Sequence, residues 1–218
     1  PEECLQNLSI FAESAKVKNY TAAYEPWMNV RNECPSLNLA IYSYGERILK
    51  DFIKNGTPEV VNSSKNDLMK LYDQWAQYFP AKRGNSVLGD ILSNKAQAMI
   101  DYKIGTETEI YDIFDKAFKL DKKSFTNPKS LYNYFKTLLD IYKAGNKDFT
   151  AEMLFDKYEE VYEKFEFESE ELSKKLDVLI NKEEQGEALT TRDLKRKRIY
   201  DVNSNAIAIF LKNLNAII

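Results

Sequence analysis

The chain has 218 residues, of which 44% are hydrophobic and 30% are charged, and it has only seven glycines and six prolines. A chain of this length buries a sizeable apolar core on its own, so we expect no cofactor. Its net charge of −3 gives no broad positive field, which argues against a nucleic-acid partner. The absence of histidine excludes Ser-His-Asp and Cys-His catalytic sites and His-ligated metals, so we predict neither catalytic residues nor a metal site.

Apolar residues recur at helical spacing along most of the chain, which predicts an all-α fold. No apolar run approaches the roughly 20 residues that a membrane-spanning helix needs. The sequence therefore predicts a chain without a transmembrane segment.

Residues 1–35 are predicted to form a first helical hairpin, with a break at Lys18 and Asn19 and an end at Pro35. Cys4 begins the first helix and Cys34 ends its antiparallel partner, so both thiols lie at the same end of the hairpin. This placement predicts a disulfide, which persists in an oxidising compartment such as the periplasm. The alternative is a pair of free helical thiols in a cytosolic protein.

Two further hairpins are predicted over residues 36–80 and 81–123. In the first of these, Ser64 and Asp67 have the spacing of a capping box, which predicts that a helix starts there. In the second, Thr106 and Glu109 form another capping box after a turn at Gly105, and the helix is expected to end near Asp121.

A fourth hairpin is predicted over residues 124–165, beginning at Asn127 and Pro128 and ending near Phe165. Residues 166–218 are predicted to form a long, highly charged helical hairpin with a break near Gly186. Its apolar stripe runs towards the terminus without a stop signal, so we expect a truncated chain with further repeats beyond Ile218. The stripe consists of Leu194, Ile199, Val202, Ala206, Ile209 and Leu214.

Residues 18–35 contain, in order, an inter-helix turn, an aromatic, a small residue, a large aromatic and a closing proline. The residues that carry this order are Lys18, Asn19, Tyr20, Ala23, Trp27, Val30 and Pro35. The pattern resembles the tetratricopeptide repeat, and a second-helix spacing of the same kind recurs at Leu68, Tyr72, Trp75 and Pro80. Hairpins at intervals of about 42 to 45 residues exceed the 34-residue period of that family, so the repeats are divergent. The opening of the chain is also similar to exported tetratricopeptide proteins of Bacteroidota.

The resemblance implies a right-handed α-solenoid of antiparallel helical hairpins that forms one continuous domain. In such proteins the first helix of each repeat lines a concave groove that binds a protein or peptide partner. By alignment, the residues of this groove are Tyr42, Glu46, Lys50, Gln97 and Asp101. The similar exported proteins imply a periplasmic or cell-envelope location, and the first residue, Pro1, is then expected to follow a removed signal peptide.

These observations lead us to predict a non-enzymatic scaffold that binds a protein or peptide in the bacterial cell envelope. One alternative is a structural subunit of a secretion or motility assembly that makes its contacts through Val202, Ile209 and Leu214. Another is a helical enzyme that acts on glycans with a pair of carboxyl groups, a chemistry that needs no histidine.

Overall fold

The computed structural model describes residues 2–217, and helices account for most of that range. The helices are α1 (Glu2–Lys16), α2 (Tyr20–Glu33), α3 (Ala40–Asn55), α4 (Pro58–Tyr78), α5 (Leu88–Tyr102), α6 (Glu107–Asp121), α7 (Pro128–Lys143), α8 (Ala151–Glu184) and α9 (Thr191–Ala216). Between α4 and α5, the two-residue strands β1 (Ala81–Lys82) and β2 (Asn85–Ser86) form a short antiparallel hairpin. The prediction of an all-α protein is confirmed.

Local capping signals set several helix starts where the sequence predicted them. The Thr106 hydroxyl accepts a hydrogen bond from the Glu109 amide, and the Glu109 carboxylate accepts one from the Thr106 amide at 2.7 Å. The Asn127 side chain likewise accepts from the Ser130 amide, with Pro128 in the first turn of α7. Each cap satisfies backbone N–H groups that the helix leaves without partners.

Two predicted helix boundaries are wrong. Ser64 does not cap a helix, because α4 already begins at Pro58 and Ser64 is buried within it. Thr57 in an extended conformation followed by a proline in the first turn is the stronger start signal here. The helix predicted to end near Phe165 instead runs without interruption from Ala151 to Glu184, since no glycine or proline interrupts it. The break near Gly186 is confirmed.

The chain divides into two compact units, residues 2–104 and 105–217, and the predicted third hairpin (81–123) contains helices from both. In the first unit, α1 packs on α2 and α3 packs on α4 as hairpins, while α2–α3 and α4–α5 contacts join successive helices. The indole N–H of the fully buried Trp27 donates to the Ile41 carbonyl at 2.7 Å. The ring lies so close to Gly45 that a Cβ there would stand 2.5 Å from Trp27 Cζ2.

One buried cation also holds helices of the first unit together. The Arg31 guanidinium is 4% exposed and lies over the Trp27 ring. It donates hydrogen bonds to Gln74 at 2.7 Å and to Asp67 at 2.8 Å, so α2 is tied to α4 by a charge-assisted pair. Asp67 was predicted to cap a helix, but in the structure its carboxylate accepts from Arg31 of another helix.

The second unit is built around α7, which packs against α6, α8 and α9, while α8 and α9 form a long antiparallel hairpin. The core of this unit is aromatic, with Phe114, Phe125, Tyr134, Phe135 and Phe165 fully buried. The predicted terminal stripe is only partly buried, because Leu214 is in the core whereas Leu194, Ile199, Val202 and Ile209 are each about half exposed.

Candidate binding groove

Of the five residues predicted to line a groove, Glu46, Lys50 and Asp101 act electrostatically on Tyr102 at the end of α5, and Gln97 donates a hydrogen bond to Asp101. Glu46 and Lys50 lie one turn apart on α3, and Gln97 and Asp101 lie one turn apart on α5. Tyr42 is different: it is fully buried, and its hydroxyl donates to the Pro35 carbonyl at 2.9 Å. Placing Tyr42 on an open surface was therefore incorrect, because its ring packs among Trp75, Tyr78 and Phe79.

Glu46 is the centre of the hydrogen bonds in this region. One of its carboxylate oxygens accepts from the Tyr72 hydroxyl at 2.6 Å and from Lys50 Nζ at 2.7 Å. Burial raises the pKa of Tyr72, and the negative charge of Glu46 raises it further, so Tyr72 stays protonated and acts as a donor. These contacts hold the Glu46 and Lys50 side chains in one arrangement.

The α5 side of the region is held in a similar way. The Gln97 amide donates to the Asp101 carboxylate at 2.9 Å, and Gln97 itself is largely buried while Asp101 is exposed. Burial raises the pKa of Tyr102, the carboxylates of Asp101 and Glu46 raise it as well, and the Lys50 ammonium opposes them. The charges from α3 and α5 therefore act on a common group, Tyr102. We call these residues, Glu46, Lys50, Gln97, Asp101 and Tyr102, the α3–α5 groove.

An open cavity of about 500 Å³ extends the α3–α5 groove along α3. Three cationic side chains, Arg47, Lys50 and Lys54, share one face of α3 at this cavity, and two tyrosines, Tyr20 and Tyr102, line it with them. Of these five, the sequence predicted only Lys50. The i, i+3, i+7 spacing of the three cations could have predicted that they share one face of α3. Tyr20 and Tyr102 come from the ends of other helices, and no sequence pattern predicted that they line this cavity.

The Cys4 and Cys34 side chains are joined in a disulfide, as predicted, with their Cα atoms 6.5 Å apart. Cys34 is the C-cap residue of α2, and Cys4 lies in the first turn of α1. The bond closes the open end of the first hairpin, which leads into α3 and the groove.

Two further features of residues 2–217 bear on function. None of their helices is both long enough and apolar enough to cross a membrane. Nor does this part of the chain bring three or more Cys, Asp or Glu side chains together as a candidate metal site.

Comparison of the chain with protein-family models, with curated proteins and with solved structures finds no match.

Proposed function

We propose that this chain is a non-enzymatic scaffold that binds a protein or peptide partner through the α3–α5 groove. The observation that carries the proposal is an open cavity lined by Lys50, Asp51 and Tyr102. Next to it, Glu46 accepts a hydrogen bond from Lys50, and the charge of Asp101 acts on Tyr102. Peptide recognition requires donors, acceptors and charges of both signs at fixed positions, next to aromatic surface. This region of the first unit provides all of them.

We further propose that the helical hairpins are divergent tetratricopeptide-like repeats of a right-handed solenoid. The close contact between Gly45 and Trp27 supports this assignment, because it packs the second helix of one hairpin against the first helix of the next, as stacked repeats require. The antiparallel α1–α2 and α3–α4 hairpins support it as well.

The disulfide supports an exported location, in the periplasm or elsewhere in the cell envelope. Disulfides persist in oxidising compartments and are rare where cytosolic thiols are kept reduced.

Four carboxyl groups are unsuited to the acid role that glycan hydrolysis requires. A hydrolytic pair needs one acid whose pKa is raised so that it carries a proton at neutral pH. Hydrogen bonds and neighbouring cations lower the pKa of Glu109, Asp115, Glu171 and Asp193, so none of these four carboxyl groups is suited to carry that proton.

A second candidate function is a structural subunit of an envelope assembly. It is favoured by the half-exposed apolar residues of α9, in particular Ile199, Val202 and Ile209, because exposed apolar surface of this kind often marks a contact with another protein. Ala206 and Ile209 continue the same face of the helix.

Selection of a phage-displayed peptide library on the purified chain tests the groove proposal. We expect enriched peptides to share a motif and to bind the chain with Lys50→Ala and Lys54→Ala at least tenfold more weakly. The control is Lys70→Ala, an exposed residue on α4 that lies two positions from Tyr72 and therefore on the opposite side of that helix. Peptides whose affinity is unchanged by the groove substitutions would contradict the proposal.

A further inference from the structure

The second unit contains a cavity of about 410 Å³, separate from the α3–α5 groove. It lies between the C-terminal end of α6 and the middle of α8 and is lined by Lys122, Lys123, Glu163, Lys164 and Phe167. Its volume is within the range of about 300 to 1,000 Å³ that is usual for small-molecule sites.

The three lysines differ in how their charges are balanced. Lys164 is 2% exposed, and its ammonium bonds to Glu168 and lies 5.2 Å from the centre of the Phe167 ring. Lys122 and Lys123 are exposed, and the Lys122 ammonium lies 5.0 Å from the centre of the Phe118 ring rather than beside a carboxylate. The three ammonium groups carry three positive charges, and the carboxylates of Glu163 and Glu168 carry two negative ones. The net charge of these five side chains at the cavity is therefore +1.

The walls of the cavity are mainly apolar despite these charges. Phe167 is 51% exposed, so half of an aromatic ring faces solvent beside the ammonium groups. The aliphatic stems of the exposed Lys122 and Lys123 add apolar surface, since such side chains keep their charged ends in solvent. An apolar floor with a cationic rim is complementary to a ligand that has an apolar body and one negative charge.

We propose that this cavity binds a small monoanionic carboxylate with an aromatic body. The ring packs against Phe167, and the carboxylate accepts from the ammonium groups of Lys122 and Lys123. Glu163 disfavours ligands of higher negative charge, because a second anionic group would lie close to its carboxylate. A free arylalkyl carboxylate and the C-terminal aromatic residue of a peptide both offer this chemistry. We take the free acid to be the ligand.

Titration of the full chain by amide NMR tests the proposal, with 3-phenylpropionate as the probe. We expect saturable shifts at residues 122, 123 and 163–167. The alcohol 3-phenylpropan-1-ol, which keeps the ring but lacks the charge, is expected to bind at least fivefold more weakly. Propionate, which keeps the charge but lacks the ring, is expected to be weaker by a similar factor. N-acetylphenylalanine represents a peptide C-terminus and is expected to bind less tightly than 3-phenylpropionate.

Substitution of the two exposed lysines separates charge recognition from folding. Lys122→Met with Lys123→Met keeps the buried Lys164 pair intact and is expected to lower the affinity for 3-phenylpropionate about tenfold. The control is Lys175→Met, an exposed position of α8 outside the cavity, for which no change is expected. Equal affinity for acid and alcohol, unchanged affinity in the double variant, or shifts confined to other residues would overturn the proposal. Tighter binding of N-acetylphenylalanine would assign the site to a peptide C-terminus instead and would overturn the choice of a free acid.

Discussion

The hydroxyl of Tyr134 donates a hydrogen bond to the carboxylate of Asp115 at 2.6 Å, and both lie within the second unit. The same carboxylate forms ion pairs with Lys119 at 2.6 Å and with Lys157 at 3.2 Å. The Lys157 ammonium is nearly buried and lies 4.9 Å from the centre of the Tyr134 ring. One carboxylate on α6 thus joins α7 and α8 through a phenol and an ammonium group.

Removal of the Tyr134 hydroxyl should weaken this junction. We expect Tyr134→Phe to lower the free energy of unfolding by about 1 to 2 kcal/mol, because a hydrogen bond to a charged group is lost in a buried position. Urea denaturation followed by circular dichroism measures the change. The control is Tyr132→Phe in the same helix, where the ring contacts Phe210 and the expected loss is under about 0.5 kcal/mol. Equal losses in the two variants would show that the Asp115 contact does not stabilise the unit.

The stability of the second unit should depend on the ionisation of Asp115. Burial opposes ionisation, but hydrogen bonds from Lys119 and Tyr134 and the charge of Lys157 outweigh it and lower the pKa of Asp115 below its ordinary value of 3.8. Because the folded pKa is below the unfolded one, the stabilisation is present above the unfolded value and is lost as the pH falls through the folded one.

The wild type and Asp115→Asn should therefore differ in a pH-dependent way. We expect the difference in their free energy of unfolding to be constant from pH 7 to about pH 5 and to shrink below about pH 4. Urea denaturation at intervals down to pH 2 provides the measurement. A difference that begins to shrink well above pH 5 would mean that the pKa of Asp115 is raised rather than lowered.

The close approach of Trp27 to Gly45 should make an added methyl group costly. Alanine has the higher helix propensity, by about 1 kcal/mol, but its Cβ would stand 2.5 Å from a fully buried indole. We expect overpacking to dominate, so that Gly45→Ala lowers the free energy of unfolding by about 1 to 3 kcal/mol. Trp fluorescence during urea denaturation reports the loss, and Ser43→Ala in the same helix is the control for propensity. A stabilised Gly45→Ala variant would show that α3 and α2 separate easily.

Loss of the disulfide should destabilise the first unit. The bonded cysteines are 30 residues apart in sequence, and closing a loop of that length contributes about 3 to 4 kcal/mol in the chain-entropy model. We expect this loss in a variant with Cys4→Ser and Cys34→Ser, measured by urea denaturation against the oxidised wild type. Wild-type protein that has been reduced should match the variant.

The oxidation state in the cell is measured separately, by intact mass with and without reduction before thiol alkylation of native-source protein. We expect a mass that corresponds to joined cysteines. Two alkylated thiols without prior reduction would contradict the exported location.

Several helix ends were predictable because they depend on neighbours in sequence. The Thr106 and Glu109 capping box and the Asn127 cap act over three residues, so the sequence displays both partners together. The same local rule failed at Ser64 and Asp67, which have the spacing of a box but lie inside α4. There, Asp67 is used by Arg31 from another helix, a contact that no local pattern reveals.

Among the residues predicted to line a groove, only Lys50 lines the cavity beside α3. The positions of Glu46 and Lys50 follow from helical spacing on α3, but the alignment that placed Tyr42 beside them did not account for its burial against α4. Tyr102 was missed because its contribution depends on where the end of α5 lies relative to α3. Such placement is set by packing of many side chains, which sequence spacing does not encode.

The sequence by itself determined the helical class, most of the turns and the pairing of Cys4 with Cys34. Periodicity, capping and the closure of a hairpin depend on residues at regular or short spacing in the sequence, so the sequence displays them directly. Only the tertiary structure decided which charged groups are buried together, such as Arg31 with Asp67 and Asp115 with Lys157. These pairs join residues about 40 positions apart, and a charged side chain tolerates burial only where packing of separate helices delivers its partner.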